Sequence, residues 1–154
     1  MALPPFQLAV DQHRDQLARF LAATVGPVEA DDCLQETFIA ALRAYPRLRA
    51  GSNVRAWLFT IARNKALDEH RARARRPMPV MALPEVPSAA TAGEDDPALW
   101  GLVRELPPKQ RAAVVLRYVN DFSHREVAAV LECSEEAARR SLHEGLAKLR
   151  KEMA

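Results

Sequence analysis

Residues 123–142 read SHREVAAVLECSEEAARRSL, and the fold turns on how this stretch is read. It opens with Ser123-His124-Arg125-Glu126, the S-x-x-E pattern in which a serine hydroxyl and a glutamate carboxylate each satisfy an orphan amide at a helix start. The helix begun there turns Val127, Ala128 and Leu131 toward a core. A break at Glu132-Cys133 follows, and Ser134 is a second N-cap. A final helix runs on through Ala138, Leu142, Leu146 and Leu149 at helical spacing. Capped helix, short turn, capped helix is the helix-turn-helix arrangement. Small Ala128 stands where the two helices must approach closely, with Ala138 packing back onto it. The outward side of the second helix is expected to present Arg139, Arg140, Ser141 and His143. Arginine pairs with guanine N7 and O6 in the major groove, while serine and histidine suit phosphates or base edges. A helical hairpin without a DNA partner would carry the same caps, and Glu132 stands where glycine is usual.

Outward from this stretch, helical patterning continues in both directions along the chain. Leu99, Leu102, Val103 and Leu106 form a stripe closed by Pro107-Pro108, and Gln110 to Val119 forms another. Upstream, residues 77–97 hold five prolines among small, acidic or aperiodic apolar residues, a composition expected to be extended or disordered. Three more helical patterns precede it. Leu17, Phe20, Leu21 and Thr24 make the first, ended by Gly26-Pro27. Leu34, Phe38, Ala41, Leu42 and Tyr45 make the second, opened by Asp31-Asp32, whose charges suit the positive end of a helix dipole. Val54, Trp57, Leu58, Ile61, Ala62 and Lys65 make the third, after Ser52 as N-cap. The expected fold is all-α, with two small helical domains: a three-helix bundle over residues 1–76, a flexible linker over 77–97, and a helix-turn-helix domain over 98–154. Phe20, Phe38, Trp57, Leu58 and Ile61 are expected to share the bundle core.

The net charge of +2 conceals a strong segregation of charge. Residues 43–76 carry ten basic and two acidic side chains, whereas residues 1–42 carry two basic and six acidic ones. With acids so scarce, ion pairing cannot account for the bases, and a 34-residue stretch at net +8 reads as a footprint for a polyanion. Aromatic and amide groups interleave with these cations: Trp57, Phe59 and Asn64 precede Arg71, Arg73, Arg75 and Arg76. Such interleaving suits single-stranded DNA, whose bases stack on rings and whose phosphates need neutralising. Trp57 sits on the apolar stripe and is expected in the core; Phe59 falls off it and is the better candidate for an exposed role.

Other classes of function find little support. There is no glycine-framed nucleophile, no phosphate-binding glycine loop and no metal-ligand spacing; His13, His70, His124 and His143 are scattered and read as surface residues. No catalysis, cofactor, metal or small-molecule substrate is therefore expected. Cys33 and Cys133 read as reduced thiols rather than a disulfide. No uninterrupted apolar stretch reaches the length of a membrane span, and the start MALPPFQLAVDQHRD does not read as an export signal.

The stretches DDCLQETFIAALRAYPRL and NVRAWLFTIARNKALDEHRARARR closely resemble region 2 of the extracytoplasmic-function sigma factors of the sigma-70 family. LPPKQRAAVVLRYVNDFSHREVAAVLECS, ending in SLHEGLAKLR, resembles their region 4, in the right order and at the right separation. The resemblance implies a cytoplasmic, non-enzymatic subunit that binds bacterial core RNA polymerase, selects promoter DNA and assists its melting, under control of an anti-sigma factor. By the same resemblance, Asp32, Gln35 and Glu36 grip the polymerase. Arg49, Gly51, Ser52, Asn53 and Val54 form the loop that receives a flipped base of the −10 element; Asn64 lines its pocket, and Arg71, Arg73, Arg75 and Arg76 follow the DNA backbone. Arg139, Arg140, Ser141 and His143 fall at the face that reads the −35 element. The recognition helix departs from the family pattern, with Ala137, Ala138, Glu144 and Leu146 in place of threonine, valine and arginines, and with Glu135 and Glu136 in its first turn. That departure leaves open a second reading, a sigma-like adaptor that titrates an anti-sigma factor without touching a promoter. A dimeric helix-turn-helix repressor would leave the first half of the chain unexplained.

Overall fold

Gly26, at φ +90°, and Pro27 divide the first 44 residues into two helices: α1 (Phe6–Val25) ends at the glycine and α2 (Pro27–Ala44) starts at the proline. Proline suits a first helical position because its missing amide would have no partner there. The second helix thus starts a full turn before Asp31-Asp32, and Glu29 is the acid in its first turn. After a 3-10 turn (Tyr45–Arg47), α3 runs from Val54 to Arg75. Its cap is Asn53 rather than Ser52, since Asn53 Oδ1 accepts from the Ala56 amide at 3.1 Å. Then come α4 (Pro97–Glu105), α5 (Pro108–Tyr118), α6 (His124–Leu131) and α7 (Glu135–Met153). The computed structural model describes residues 2–75 and 96–154. Most of the linker expected over 77–97 lies outside them, and its last two positions belong to the following helix: Asp96 caps α4 and Pro97 begins it.

The helix-turn-helix forms as its caps require. Ser123 Oγ accepts from the Glu126 amide at 3.1 Å, and Glu126 Oε1 accepts from the Ser123 amide at 2.9 Å. That Ser123 amide, followed by the Ser123 hydroxyl and Arg55, holds the Glu126 carboxyl below the usual range against the opposing effect of burial. Glu132 ends α6 in the left-handed region, φ +55° and ψ +45°, which leaves the Cys133 amide free to donate to the Ala128 carbonyl at 3.1 Å. The turn therefore has the geometry that glycine usually supplies, with a side chain carried at some cost. Ala128 and Ala138 are both buried, as the close approach of the two helices demands.

The two halves do not stand apart. α1, α2 and α3 pack on one another, α5, α6 and α7 do likewise, and α3 also packs on α6 while α1 packs on α4 and α5. One apolar core runs through both. Its centre is Phe59, fully buried, edge-on to Phe20 of α1 at 5.6 Å and to Phe122 of the second half at 4.8 Å between ring centroids. An exposed role for Phe59 is thereby excluded. The buried side of α3 is Leu58, Phe59, Ala62 and Ala66, rotated from the stripe expected through Trp57 and Ile61, because α3 is covered from two directions. Trp57 and Ile61 are half-buried against the core, as is Phe38. Arg111 joins the halves by polar bonds. Its guanidinium donates to the Thr24 carbonyl at the end of α1 and to the Leu106 carbonyl at the end of α4, both at 3.0 Å. Carbonyls in the last turn of a helix have no partner within it, so a buried cation satisfies what the fold leaves open.

Two substitutions test this packing. Phe59→Ala removes the ring shared by both halves and should cost about 3–5 kcal/mol. Denaturant unfolding followed by circular dichroism should keep a single transition, moved to lower concentration; loss of only half the signal would mean that the halves are independent. Glu132→Gly relieves the left-handed backbone and should raise stability by about 1 kcal/mol; an unchanged midpoint would mean that the turn is unstrained.

Candidate nucleic-acid and polymerase interface

On α2, Asp32, Gln35 and Glu36 are all exposed, together with Asp31. Val28, Ile39 and Leu42 are exposed too, by 59%, 51% and 59%, which is unusual for such side chains. Leu42 belongs to the apolar stripe expected on this helix, yet it is exposed, and Ala30, Cys33, Thr37 and Ala41 form the buried side. Positions 28, 32, 35, 39 and 42 follow the four-then-three spacing of one helical face, so the acids are set in an apolar stripe. Sequence reasoning found the acids and missed the stripe, whose signal was an excess of apolar residues on α2 over what one face can bury. Beneath it, Cys33 is buried, and burial with the carboxylates of Glu69, Glu36, Glu29 and Asp32 pushes its thiol up to about 12. Cys33 is therefore held as a protonated, unreactive thiol.

The loop before α3 is a tight turn. The Ser52 amide donates to the Arg49 carbonyl at 3.2 Å, and Gly51 takes φ +84° at its third position, where a side chain would be strained. Arg49, Gly51 and Asn53 are exposed, while Ser52 and Val54 are half-buried. Asn53 is occupied in capping α3. Asn64 is exposed on α3, ten residues past Val54 and so about 15 Å along the axis.

The arginines beyond Asn64 do not form one surface. At 100° per residue, Arg71 and Arg75 fall on the face of Asn64 and Arg73 falls opposite. Arg71 and Arg75 are exposed, with Arg71 4.0 Å from Asp68. Arg73 lies 4.0 Å from Glu29 and lines a groove with Thr24, Val25, Glu69, His70, Arg104 and Arg111 at the seam between the halves. Burial first, then Arg111 and Arg73, lowers the pKa of His70 in this groove. Burial, Arg73 and Arg104 lower that of Arg111. Arg73, although exposed, therefore lies on the opposite side of α3 from Arg71 and Arg75. Arg76 lies outside the described residues.

In the recognition helix α7, Arg139, Arg140 and His143 are exposed. Ser141 is buried and does not belong to that face: it lies between Ala138, Leu142 and Gly145, which α7 turns toward α5 and α6. Arg139 donates to Glu135 at 2.9 Å, one turn back on the same helix, so its charge is already partly answered. Gly145 packs closely on α5, where a Cβ would stand 3.0 Å from Val114 Cγ2. Among the described residues, no three His, Cys, Asp or Glu side chains are placed to hold a metal, and no helix is long and apolar enough to cross a membrane.

Comparison with known proteins matches the chain to a family. Sigma-70 region 2 matches residues 9–76, the part that holds α1, α2 and α3, and sigma-70 region 4 matches residues 97–149. The ECF RNA polymerase sigma factor SigD of Mycobacterium tuberculosis is 37% identical over 155 residues, covering 91% of this chain and 73% of SigD. The RNA polymerase sigma factor CarQ of Myxococcus xanthus is 35% identical over 147 residues, covering 90% of this chain and 83% of CarQ. Among solved structures, that of CnrH in complex with the cytosolic domain of CnrY aligns over 96% of this chain and 86% of the matched chain, with a TM-score of 0.71 and 27% identity. The sigma factor RpoE in complex with the anti-sigma factor NepR from Bartonella quintana aligns over 94% and 91%, with a TM-score of 0.66 and 23% identity, a likeness of fold. With both regions matched in order and relatives identical at 37% and 35% over most of their length, the chain belongs to the ECF sigma factors, which serve RNA polymerase in transcription initiation.

Proposed function

We propose that this chain directs core RNA polymerase to promoters through three separate surfaces, one for the enzyme and two for DNA. The observation that carries the reading is the exposed face of α2, where Asp32, Gln35 and Glu36 stand among Val28, Ile39 and Leu42. An apolar stripe set with charges is the kind of face that a helix of a larger assembly covers, the apolar part giving affinity and the acids orientation. The turn from Arg49 to Val54, with Asn64, takes an unstacked base of the −10 element. Arg71 and Arg75 neutralise the adjoining phosphates. Extruding a base costs a few kcal/mol, so capture contacts of similar size bias opening. Arg140 and His143, with Arg139 once it leaves Glu135, read the −35 element from α7.

An anti-sigma factor is the second protein partner in this reading, supported by the complex in which the related RpoE is held by one. The Arg139–Glu135 pair favours a competing account, in which the chain only titrates such a factor. The cationic face of α3 favours promoter contact, since a titrating adaptor has no use for it.

Three sets of variants separate the surfaces. Asp32→Lys with Glu36→Lys should weaken core polymerase binding at least tenfold, about 1.4 kcal/mol, with unchanged circular dichroism. Arg71→Gln with Arg75→Gln should weaken holoenzyme binding on every promoter and reduce the slope of log K against log salt by about two units. Arg140→Ala should cost about 1–3 kcal/mol only on promoters with the preferred −35 base. Core affinity untouched by charge reversal on α2 would remove the polymerase surface from this account. Arg140→Ala without effect on any promoter would favour the adaptor.

A further inference from the structure

The end of α1, the last turns of α3, the end of α4 and the start of α5 meet around a groove of about 330 Å³. Three guanidinium groups line it from three helices: Arg73 of α3, Arg104 of α4 and Arg111 of α5, with His70 beside them. Glu69 is the one acid among the described lining residues, and Glu29, outside the lining, is 4.0 Å from Arg73. Arg111 is 6% exposed, and its two bonds go to neutral carbonyls, those of Thr24 and Leu106. Its Nε is buried without a hydrogen-bond partner. A buried cation that meets carbonyls but no carboxylate keeps most of its charge unanswered. Arg73 and Arg104 add to that charge instead of offsetting it: after burial, they are what lowers the pKa of Arg111. Like charges gathered in a concave, partly dehydrated place repel one another unless an anion joins them. We propose that this groove is a binding site for a small phosphate-bearing anion of the diphosphate class.

The chemistry of the lining selects that class. A guanidinium presents a planar fork of donors that matches pairs of phosphate oxygens. The three forks come from different helices, and so from different directions. A tetrahedral phosphoryl group has oxygens for several of them, whereas a planar carboxylate meets one. With three arginines set against Glu69, one phosphoryl group leaves charge over, and a second one linked to it answers the rest. The volume is near the lower end for small-ligand pockets, room for the phosphates and a modest attached body. Duplex phosphates lie on a broad convex cylinder, which cannot follow the groove down to Arg111, so a free anion fits better than a nucleic-acid backbone. Asn64, Arg71, Arg75, Arg140 and His143 are not among the lining residues, and the inference does not depend on the DNA surfaces proposed for them. One ligand touching α3, α4 and α5 together binds the folded chain alone and adds to its stability.

Isothermal titration of the full-length chain with inorganic pyrophosphate, at constant ionic strength, tests the site. One saturable site per chain is expected, with orthophosphate at least about tenfold weaker. Saturating pyrophosphate should raise the melting midpoint and shift the imidazole C–H resonances of His70, leaving those of His143 in place. Arg104→Gln should lower pyrophosphate affinity at least about tenfold, and so should Arg73→Gln, both with unchanged circular dichroism. If Arg104→Gln disturbs the fold, Arg73→Gln decides the matter, since its side chain is 49% exposed and its loss leaves the packing intact. Arg19→Gln, at an exposed arginine of α1 outside the groove, should leave the affinity unchanged. Heat without saturation, or equal losses from Arg19→Gln and Arg73→Gln, would mean diffuse attraction to a basic surface and would overturn the site. Displacement of bound pyrophosphate by a short duplex would overturn it too, giving the groove to the DNA backbone.

Discussion

Phe59 has the ring of α1's Phe20 on one side and that of Phe122 on the other, and the position of every surface on this chain follows from that contact. A ring fully buried between two others can sit in only one way, so the rotation of α3 is fixed by it. Once α3 is fixed, Asn64, Arg71 and Arg75 share one exposed side, and Arg73, exposed as well, stands opposite them at the rim of the seam. Arg55 falls one helical turn before Phe59, on the same side, and so meets the second half. The same contact explains why the polar bonds around it are numerous. The Asn120 carbonyl, the Thr24 carbonyl and the Glu126 carboxylate are drawn into the seam by apolar packing, and buried polar groups must find partners there.

This arrangement leaves two kinds of surface uncovered. One is the side of α2 turned away from α1 and α3, which carries more apolar residues than a solvent-facing helix needs. The other is the outer side of α7, where Arg139, Arg140 and His143 remain exposed because α7 packs on α4, α5 and α6. In the function proposed above, the first is the face presented to the enzyme and the second a face presented to DNA.

Features governed by local rules were legible in the sequence. The Ser123–Glu126 capping box, the cap at Ser134, the breaks at Gly26-Pro27 and Pro107-Pro108, and the helical class of each segment follow from residues a few positions apart. Features governed by partners distant in sequence were not. Phe59 was misjudged because a stripe drawn through Trp57 and Ile61 assumes burial from one direction, and α3 is buried from two. Leu42 lies on the apolar stripe of α2 but outside the core, because that stripe is wider than the face that α1 and α3 can cover. Ser141 lies one residue from the exposed pair Arg139-Arg140, yet it falls on the inner side with Ala138 and Gly145. The docking of the halves left no periodic trace at all, being carried by single residues such as Gln16, Arg55, Arg111 and Asn120 that look like ordinary polar surface until their partners are known.

The central claim is that this chain gives RNA polymerase a promoter preference it otherwise lacks. The direct measurement is run-off transcription with purified core polymerase on fragments selected from a random promoter library. With the chain added, discrete transcripts should start about 10 base pairs downstream of the shared −10 element, and none should arise with core enzyme alone. Binding of core polymerase without any promoter-dependent transcript would contradict the account and leave a protein that only occupies a partner.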